Sequence, residues 1–280
     1  MSISPTVSVI MPVYNCETTL SEAIDSIMNQ TFQDFELIIC DDCSNDCSKK
    51  IALDYANCYP QKIKVIANER NSKLHYSLNH CLKYAKGKYI ARMDGDDISF
   101  PERLEKQVHF LEKHPDIPEV GSGYIRFDKN GDFGEVMSPK FHDKTQMTHG
   151  VPSCHACIMM KKEVYDKIGG YTVSKRTERC EDLDMWYKFY AAGFSGANLQ
   201  EMLYKVRDSR VALKRRKLKY DWDAVKTNLI GFKMLHYPFY TYPLAFRQLI
   251  SHFIPYRLKV KIRSNKAERM KDNGGREHNP

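Results

Sequence analysis

The sequence predicts an α/β protein with a mostly parallel sheet flanked by helices, followed by a basic helical extension. Three observations carry this prediction. Short apolar runs rich in β-branched residues recur along the first hundred positions, stretches with helical spacing separate them, and Lys and Arg crowd into the last quarter of the chain. Strands that alternate with helices build a parallel sheet through right-handed crossovers.

The first strand is "TVSVIMPVY" (6–14), closed by Asn15. In "ETTLSEAIDSIMNQTF", Leu20, Ala23, Ile24 and Ile27 fall on one helical face. "FELIIC" (35–40) is a second strand, "SKKIALDYANCY" a helix and "KIKVIAN" (62–68) a third strand. Leu74, Leu78, Cys81, Leu82 and Ala85 mark another helical face, which Gly87 ends before the fourth strand "KYIARM" (88–93). A helix then begins near Pro101 in "PERLEKQVHFLEKH", with Asp97 or Ser99 as its expected cap. Glu181 and Asp182 open a later helix, where acidic residues suit the helix dipole, and Leu183, Trp186, Tyr187 and Tyr190 form its buried face.

At 280 residues, with 42% hydrophobic and 28% charged side chains, the chain is an ordinary folded protein of one large domain, or one domain with an appendage. The start, "MSISPTVSVIMPVYN", has no basic segment and runs straight into a strand, so no leader is expected there. The uncharged stretch from Met234 to Phe246 is shorter than the roughly 20 residues a spanning helix needs. Nine scattered cysteines favour reduced thiols over a disulfide framework. The pairs Cys40/Cys43 and Cys154/Cys157 have no partner pair at zinc-knuckle spacing, so zinc is not expected. Residues 205–271 hold 18 Lys and Arg against 4 Asp and Glu. Set against a whole-chain balance of +8, that leaves the rest of the molecule at −6.

The acidic residues gather where such a sheet binds ligands, beyond the carboxyl ends of its strands. Tyr14 and Asn15 follow the first strand, Asp41 and Asp42 the second, and Asp94, Asp96 and Asp97 the fourth. Carboxylates sharing one edge repel one another unless a cation sits among them. A hard divalent ion, Mn²⁺ or Mg²⁺, prefers such oxygens and keeps coordination places free for phosphate. Taken singly, "DGDD" is better read as a solvated turn with a helix cap, and "DDCSND" reads as an Asx turn with helix capping. Their joint placement favours a ligand site.

Five segments in order, "VSVIMPVYN", "NQTFQDFELIICDDCSND", "AKGKYIARMDGDDISFPERL", "KKEVYDKIGGY" and "CEDLDMWYKF", resemble the family 2 inverting glycosyltransferases of bacterial polysaccharide biosynthesis. The resemblance implies a Rossmann-like GT-A fold over residues 5–210, with a nucleotide-binding half (5–105) and an acceptor half (106–210). It implies that Pro12, Val13, Tyr14 and Asn15 lie against the nucleotide and that Asp42 bonds the base. By the same resemblance Asp94 lies near the ribose and metal, Asp96 binds the metal, and Asp182 is the catalytic base. His155, Glu181 and Trp186 are further candidates for diphosphate, metal or acceptor contacts. Two positions depart from the family pattern: Cys43 stands where Gly is common, which leaves the turn open to a different course, and Lys73 stands near where a small residue is frequent, its cation placed either to reach the diphosphate or to point to solvent.

The resemblance implies transfer of a hexosyl or N-acetylhexosaminyl group from a nucleotide-diphosphate sugar, UDP being the expected carrier. The acceptor would be a hydroxyl of a glycan or lipid-linked oligosaccharide. Residues 211–271, with aromatics and leucines among the basic residues, read as amphipathic helices on an anionic bilayer or as a helical extension packed on the body. The expected location is cytoplasmic, peripheral on the inner face of the cell membrane, and residues 272–280 are expected to be disordered. A sugar-phosphate nucleotidyltransferase is an alternative, but it would want a Gly-rich basic loop where "PVYNCETT" stands. Non-enzymatic binding of nucleic acid or membrane by the basic tail is another. The acidic body and the lack of a recognisable nucleic-acid module weigh against nucleic acid as a partner.

Overall fold

The structure is a computed structural model that describes residues 4–207 and 218–253. The expected tail at 272–280, and much of the basic extension, lie outside the described residues.

Four strands and three helices alternate as the patterning predicts: β1 (Val7–Val13), α1 (Leu20–Met28), β2 (Phe35–Asp41), α2 (Ser48–Cys58), β3 (Ile63–Ala67), α3 (Leu74–Tyr84) and β4 (Tyr89–Arg92). They form a parallel half-sheet ordered β3-β2-β1-β4. All seven residues of β1 are buried, and their alternation divides the core. Val7, Val9, Met11 and Val13 pack towards α1, whereas Ile10, with Ile38 and Ile90, packs on the opposite face against α3. Each such aliphatic side chain contributes roughly 1.5–3 kcal/mol by burial. This half of the sheet is therefore a rigid shelf for whatever its loops carry.

The second half departs from simple βα alternation. After the two-residue β5 (Ile98–Ser99) and α4 (Arg103–Lys113) come β6 (Glu119–Asp128), β7 (Gly131–Val136), β8 (Phe141–His142), β9 (Met159–Lys161), α5 (Lys162–Ile168), α6 (Glu181–Ala191) and β10 (Gly196–Arg207). Strand β9 inserts antiparallel between β4 and β6, and β6 pairs parallel with β10. The helix after Pro101 starts at Arg103, and neither expected residue caps it: Ser99 lies in β5, and Asp97 accepts the backbone N–H of Arg207 at 2.8 Å. The buried Arg103 instead ties α4 beneath the end of β4, donating to the Arg92 carbonyl at 2.7 Å and to Gln107 Oε1 at 3.1 Å.

Beyond the second half, α7 (Leu218–Met234), a 3₁₀ segment (Phe239–Phe246) and α8 (Arg247–Phe253) pack on the body. Phe232 joins the core that contains Tyr187, and Gly231 permits the approach: a Cβ there would lie 2.2 Å from the Tyr187 ring. Tyr237 Oη donates to the Lys144 carbonyl, and Arg247 donates to the His149 carbonyl at 3.3 Å. Among the described residues, no helix is long and apolar enough to cross a membrane.

Candidate active site

The loops after β1, β2 and β4 open on one edge of the sheet, as parallel topology requires. Pro12, Val13, Tyr14, Asp42, Asp94 and Asp96 line one cleft of about 380 Å³ there. Asn15 does not line it. Its Oδ1 accepts the N–H of Asn45 at 2.9 Å and its own N–H donates to Ser44 Oγ at 3.0 Å, so it holds the β1 and β2 loops together. Asp42 is buried: Oδ1 accepts from Asn68 Nδ2 at 2.7 Å and from the Ser72 N–H at 2.8 Å, and Oδ2 accepts the Lys73 N–H at 2.9 Å. Cys43 has φ 61°, a left-handed conformation in which glycine is unstrained. The departure from the common Gly thus preserves the turn at a conformational cost.

The carboxylates of Asp94, Asp96 and Asp97 each offer an oxygen within 4.8 Å of the others, yet their partners differ. Asp94 is held bidentately by the buried Arg92, at 2.8 and 3.0 Å. Asp97 is occupied by the N–H of Arg207, and burial beside Asp94 and Asp96 pushes its carboxyl well up. Asp96 accepts no bond from any other described residue, and burial together with the Asp94 charge raises it to about 6. It is the carboxylate of the three left for a ligand. The donor set, all hard oxygen, fits Mg²⁺ or Mn²⁺ and does not fit zinc. No disulfide joins any of the nine cysteines, and no cysteine belongs to a metal-ligating cluster among the described residues.

The first turn of α6 adds the second acidic pair. Glu181 lines the cleft of Asp94 and Asp96 with Glu178 and Arg179. Burial and the neighbouring Asp182 push its carboxyl up to about 8. Asp182 instead lines a second cleft of about 750 Å³ together with Arg179, Leu183 and residues of α7 and α8. Leu183 thus borders this cleft and does not join the fully buried face of α6. Two consecutive residues therefore face two adjoining clefts, with Arg179 at the edge of both.

His155 is buried, its Nε2 2.9 Å from Tyr171 Oη, and burial with the nearby Arg92 charge holds it well below the usual imidazole range. It lies outside the lining of either cleft. Trp186 is fully buried among Phe189, Tyr190 and His142, so it offers no face to an acceptor sugar. Sequence reasoning missed Arg92, Glu178 and Arg179. The signal for Arg92 that went unread is an arginine inside the apolar run "KYIARM", two residues before Asp94, where a buried charge needs a partner.

The mostly parallel sheet flanked by helices is the fold of GT-A glycosyltransferases. A family model described as glycosyl transferase family 2 matches residues 8–169, and the chain belongs to that family. It is 47% identical over 255 residues to EpsE of Bacillus subtilis (strain 168), a relative named as a glycosyltransferase, covering 91% of this chain and 92% of EpsE. It is 28% identical over 256 residues to the Escherichia coli UDP-Glc:alpha-D-GlcNAc-diphosphoundecaprenol beta-1,3-glucosyltransferase WfaP, covering 90% of this chain and 98% of that one. Among solved structures, residues 1–349 of S. aureus TarS in complex with UDP-GlcNAc share the fold with a TM-score of 0.64 at 19% identity, over 82% of this chain and 70% of that one. The Pyrobaculum calidifontis mannosyltransferase PcManGT, in complex with GDP-Man and Mn²⁺, does so with a TM-score of 0.63 at 15% identity, over 96% and 81%.

Proposed function

We propose that the protein is an inverting, metal-dependent transferase that moves a hexosyl or N-acetylhexosaminyl group from a nucleotide-diphosphate sugar to a hydroxyl of a lipid-linked glycan. UDP is the carrier that the named relatives favour, and the reaction belongs to polysaccharide synthesis. The observation that carries the reading is the division of Glu181 and Asp182 between two adjoining clefts. A donor in the cleft of Asp42, Asp94 and Asp96 and an acceptor in the cleft of Asp182 would meet at the start of α6.

Asp96, with Asp94 beside it, would hold Mn²⁺ or Mg²⁺. Such an ion, when bound, supplies Lewis-acid stabilisation of the charge that builds on the departing diphosphate. The chain's own residues do the rest. Tyr14, 43% exposed, stands at the mouth of the donor cleft, and Asp42 holds the neighbouring loop. Asp182 accepts the proton of the acceptor hydroxyl as its oxygen bonds to the anomeric carbon, and the bond from that carbon to the diphosphate oxygen breaks. Attack from the face opposite the leaving group inverts the centre. Glu181, with its raised affinity for a proton, spares Asp182 a second charge at its side.

The apolar groups on the C-terminal segment suit a lipid-linked acceptor presented at a membrane. Phe239, Tyr240 and Phe253 are 86, 83 and 72% exposed, and the segment is rich in Lys and Arg. Exposed aromatics with basic neighbours favour the headgroup region of an anionic bilayer. Peripheral attachment to the inner membrane face follows from the same reading.

Calorimetric binding of UDP, GDP and dTDP, with Mn²⁺ and with chelator, tests the donor site. We expect one nucleotide to bind in a metal-dependent manner and Asp96→Ala to abolish that binding while keeping the wild-type circular dichroism spectrum. No nucleotide binding by folded wild-type protein would overturn the reading.

A further inference from the structure

Lys73, the residue before α3, has φ 72° and ψ 167°, a backbone conformation open to glycine and strained for a residue with a Cβ. Four hydrogen bonds hold it there. Its own N–H and that of Ser72 donate to the buried Asp42 carboxylate, and the N–H groups of Tyr76 and Ser77 return to the Lys73 carbonyl at 3.1 Å each. A glycine would satisfy all of these backbone bonds without strain. The side chain is therefore what the strain accompanies, and Lys73 stands on the wall between the cleft of Asp94 and Asp96 and a neighbouring one lined by Asn68, Arg70 and His75.

The charge of this cleft makes a cation there consequential. Among the described residues its lining includes the carboxyl groups of Asp42, Asp96 and Glu178, with Asp94 paired to Arg92 and Glu181 inclined to keep its proton, against the cations Lys73 and Arg179. Arg179 borders both clefts and lies 5.9 Å from the Tyr220 ring centroid, whereas the Lys73 ammonium makes no hydrogen bond or ion pair among the described residues. A diphosphate entering so acidic a cleft is repelled by its walls unless positive charge meets it. We infer that Lys73 is a donor-binding residue of this chain, its ammonium meeting the diphosphate of the nucleotide sugar, at the cost of a strained backbone. This rests on the donor-site reading above.

Stability and affinity should consequently move in opposite directions at this position. The test is calorimetric binding of UDP and of uridine, with Mn²⁺ present, to wild type, Lys73→Gly, Lys73→Met and Lys73→Arg, alongside thermal unfolding of each in chelator. In Lys73→Gly the Tm should rise by about 2 °C or more, as strain is relieved. UDP affinity should fall roughly tenfold while uridine affinity stays within about twofold, as expected for loss of one charge-assisted contact to phosphate. Lys73→Met should weaken UDP by a similar factor without the gain in Tm, and Lys73→Arg should bind UDP like wild type. Unchanged UDP affinity in both Lys73→Gly and Lys73→Met, with wild type binding UDP normally, would overturn the role of Lys73 and leave the donor site standing. Failure of wild type to bind any nucleoside diphosphate would instead overturn the donor-site reading, and this proposal with it.

Discussion

The two clefts that meet at Glu181 and Asp182 are built in different ways. The cleft of Asp94 and Asp96, proposed to take the nucleotide, hangs from the ends of three adjacent parallel strands, so short loops after β1, β2 and β4 supply Tyr14, Asp42, Asp94 and Asp96 from a buried shelf. The second cleft has no such shelf. It is bounded by residues 147–151, the first turn of α6, and α7 and α8, brought together by the Gly231–Tyr187 contact and by the bonds from Tyr237 and Arg247 to loop carbonyls. One cleft is set by sheet topology and the other by helix docking. The chemistry of the first should survive changes that disable the second.

The largest expected effect breaks that relation at its junction. Asp182→Asn should lower kcat by about 10²–10⁴-fold, the usual contribution of a positioned base, with metal-dependent UDP binding within about twofold of wild type. Single-turnover transfer assays beside calorimetry read both quantities. A parallel loss of UDP affinity would show that Asp182 serves the nucleotide side and that the two clefts are one.

A smaller effect is expected from the docking of α7. In Gly231→Ala the new Cβ meets the Tyr187 ring at 2.2–2.3 Å, and helix and ring must separate. Overpacking of this kind costs about 1–3 kcal/mol, read as a lower urea midpoint. Transfer should fall while UDP binding holds. Equal damage to UDP binding would mean that the helical extension supports both clefts.

The smallest effect is a pH dependence. Glu181 binds its proton more tightly in the folded protein, with its carboxyl at about 8, than in an unfolded chain, where its usual value is 4.5. The stability this contributes is therefore complete below pH 4.5 and is lost as pH rises through about 8. In chelator, the Tm of wild type should drop by roughly 2–4 °C between pH 5 and 8 relative to Glu181→Gln, which has no carboxyl to ionise there. Identical profiles for the two proteins would remove Glu181 as the buried proton holder beside Asp182.

Much of the nucleotide side was legible before any coordinates. Apolar strands of four to seven residues with helical spacing between them make up β1 to β4, and parallel topology then places Asp42, Asp94 and Asp96 of the following turns on one edge. These are local patterns plus one topological rule. The assignment of Asp97 as a helix cap failed because its partner, the N–H of Arg207, is 110 positions away. Trp186, read as a candidate for stacking on sugar, is fully buried, because an aromatic residue on a helix does not reveal which neighbours cover it. Asn15 turned to the β2 loop for a similar reason.

The sequence by itself determined the parallel half-sheet, the acidic edge and the family, because each depends on residues close together in the chain or on motifs in a set order. Only the tertiary structure decided that Arg92 grips Asp94, that Asp96 is the carboxylate left for a ligand, that Glu181 and Asp182 face different clefts, and that Lys73 holds a glycine-like backbone. Those facts depend on contacts between distant segments and on dihedral angles that long-range hydrogen bonds impose. No periodicity along the chain encodes them.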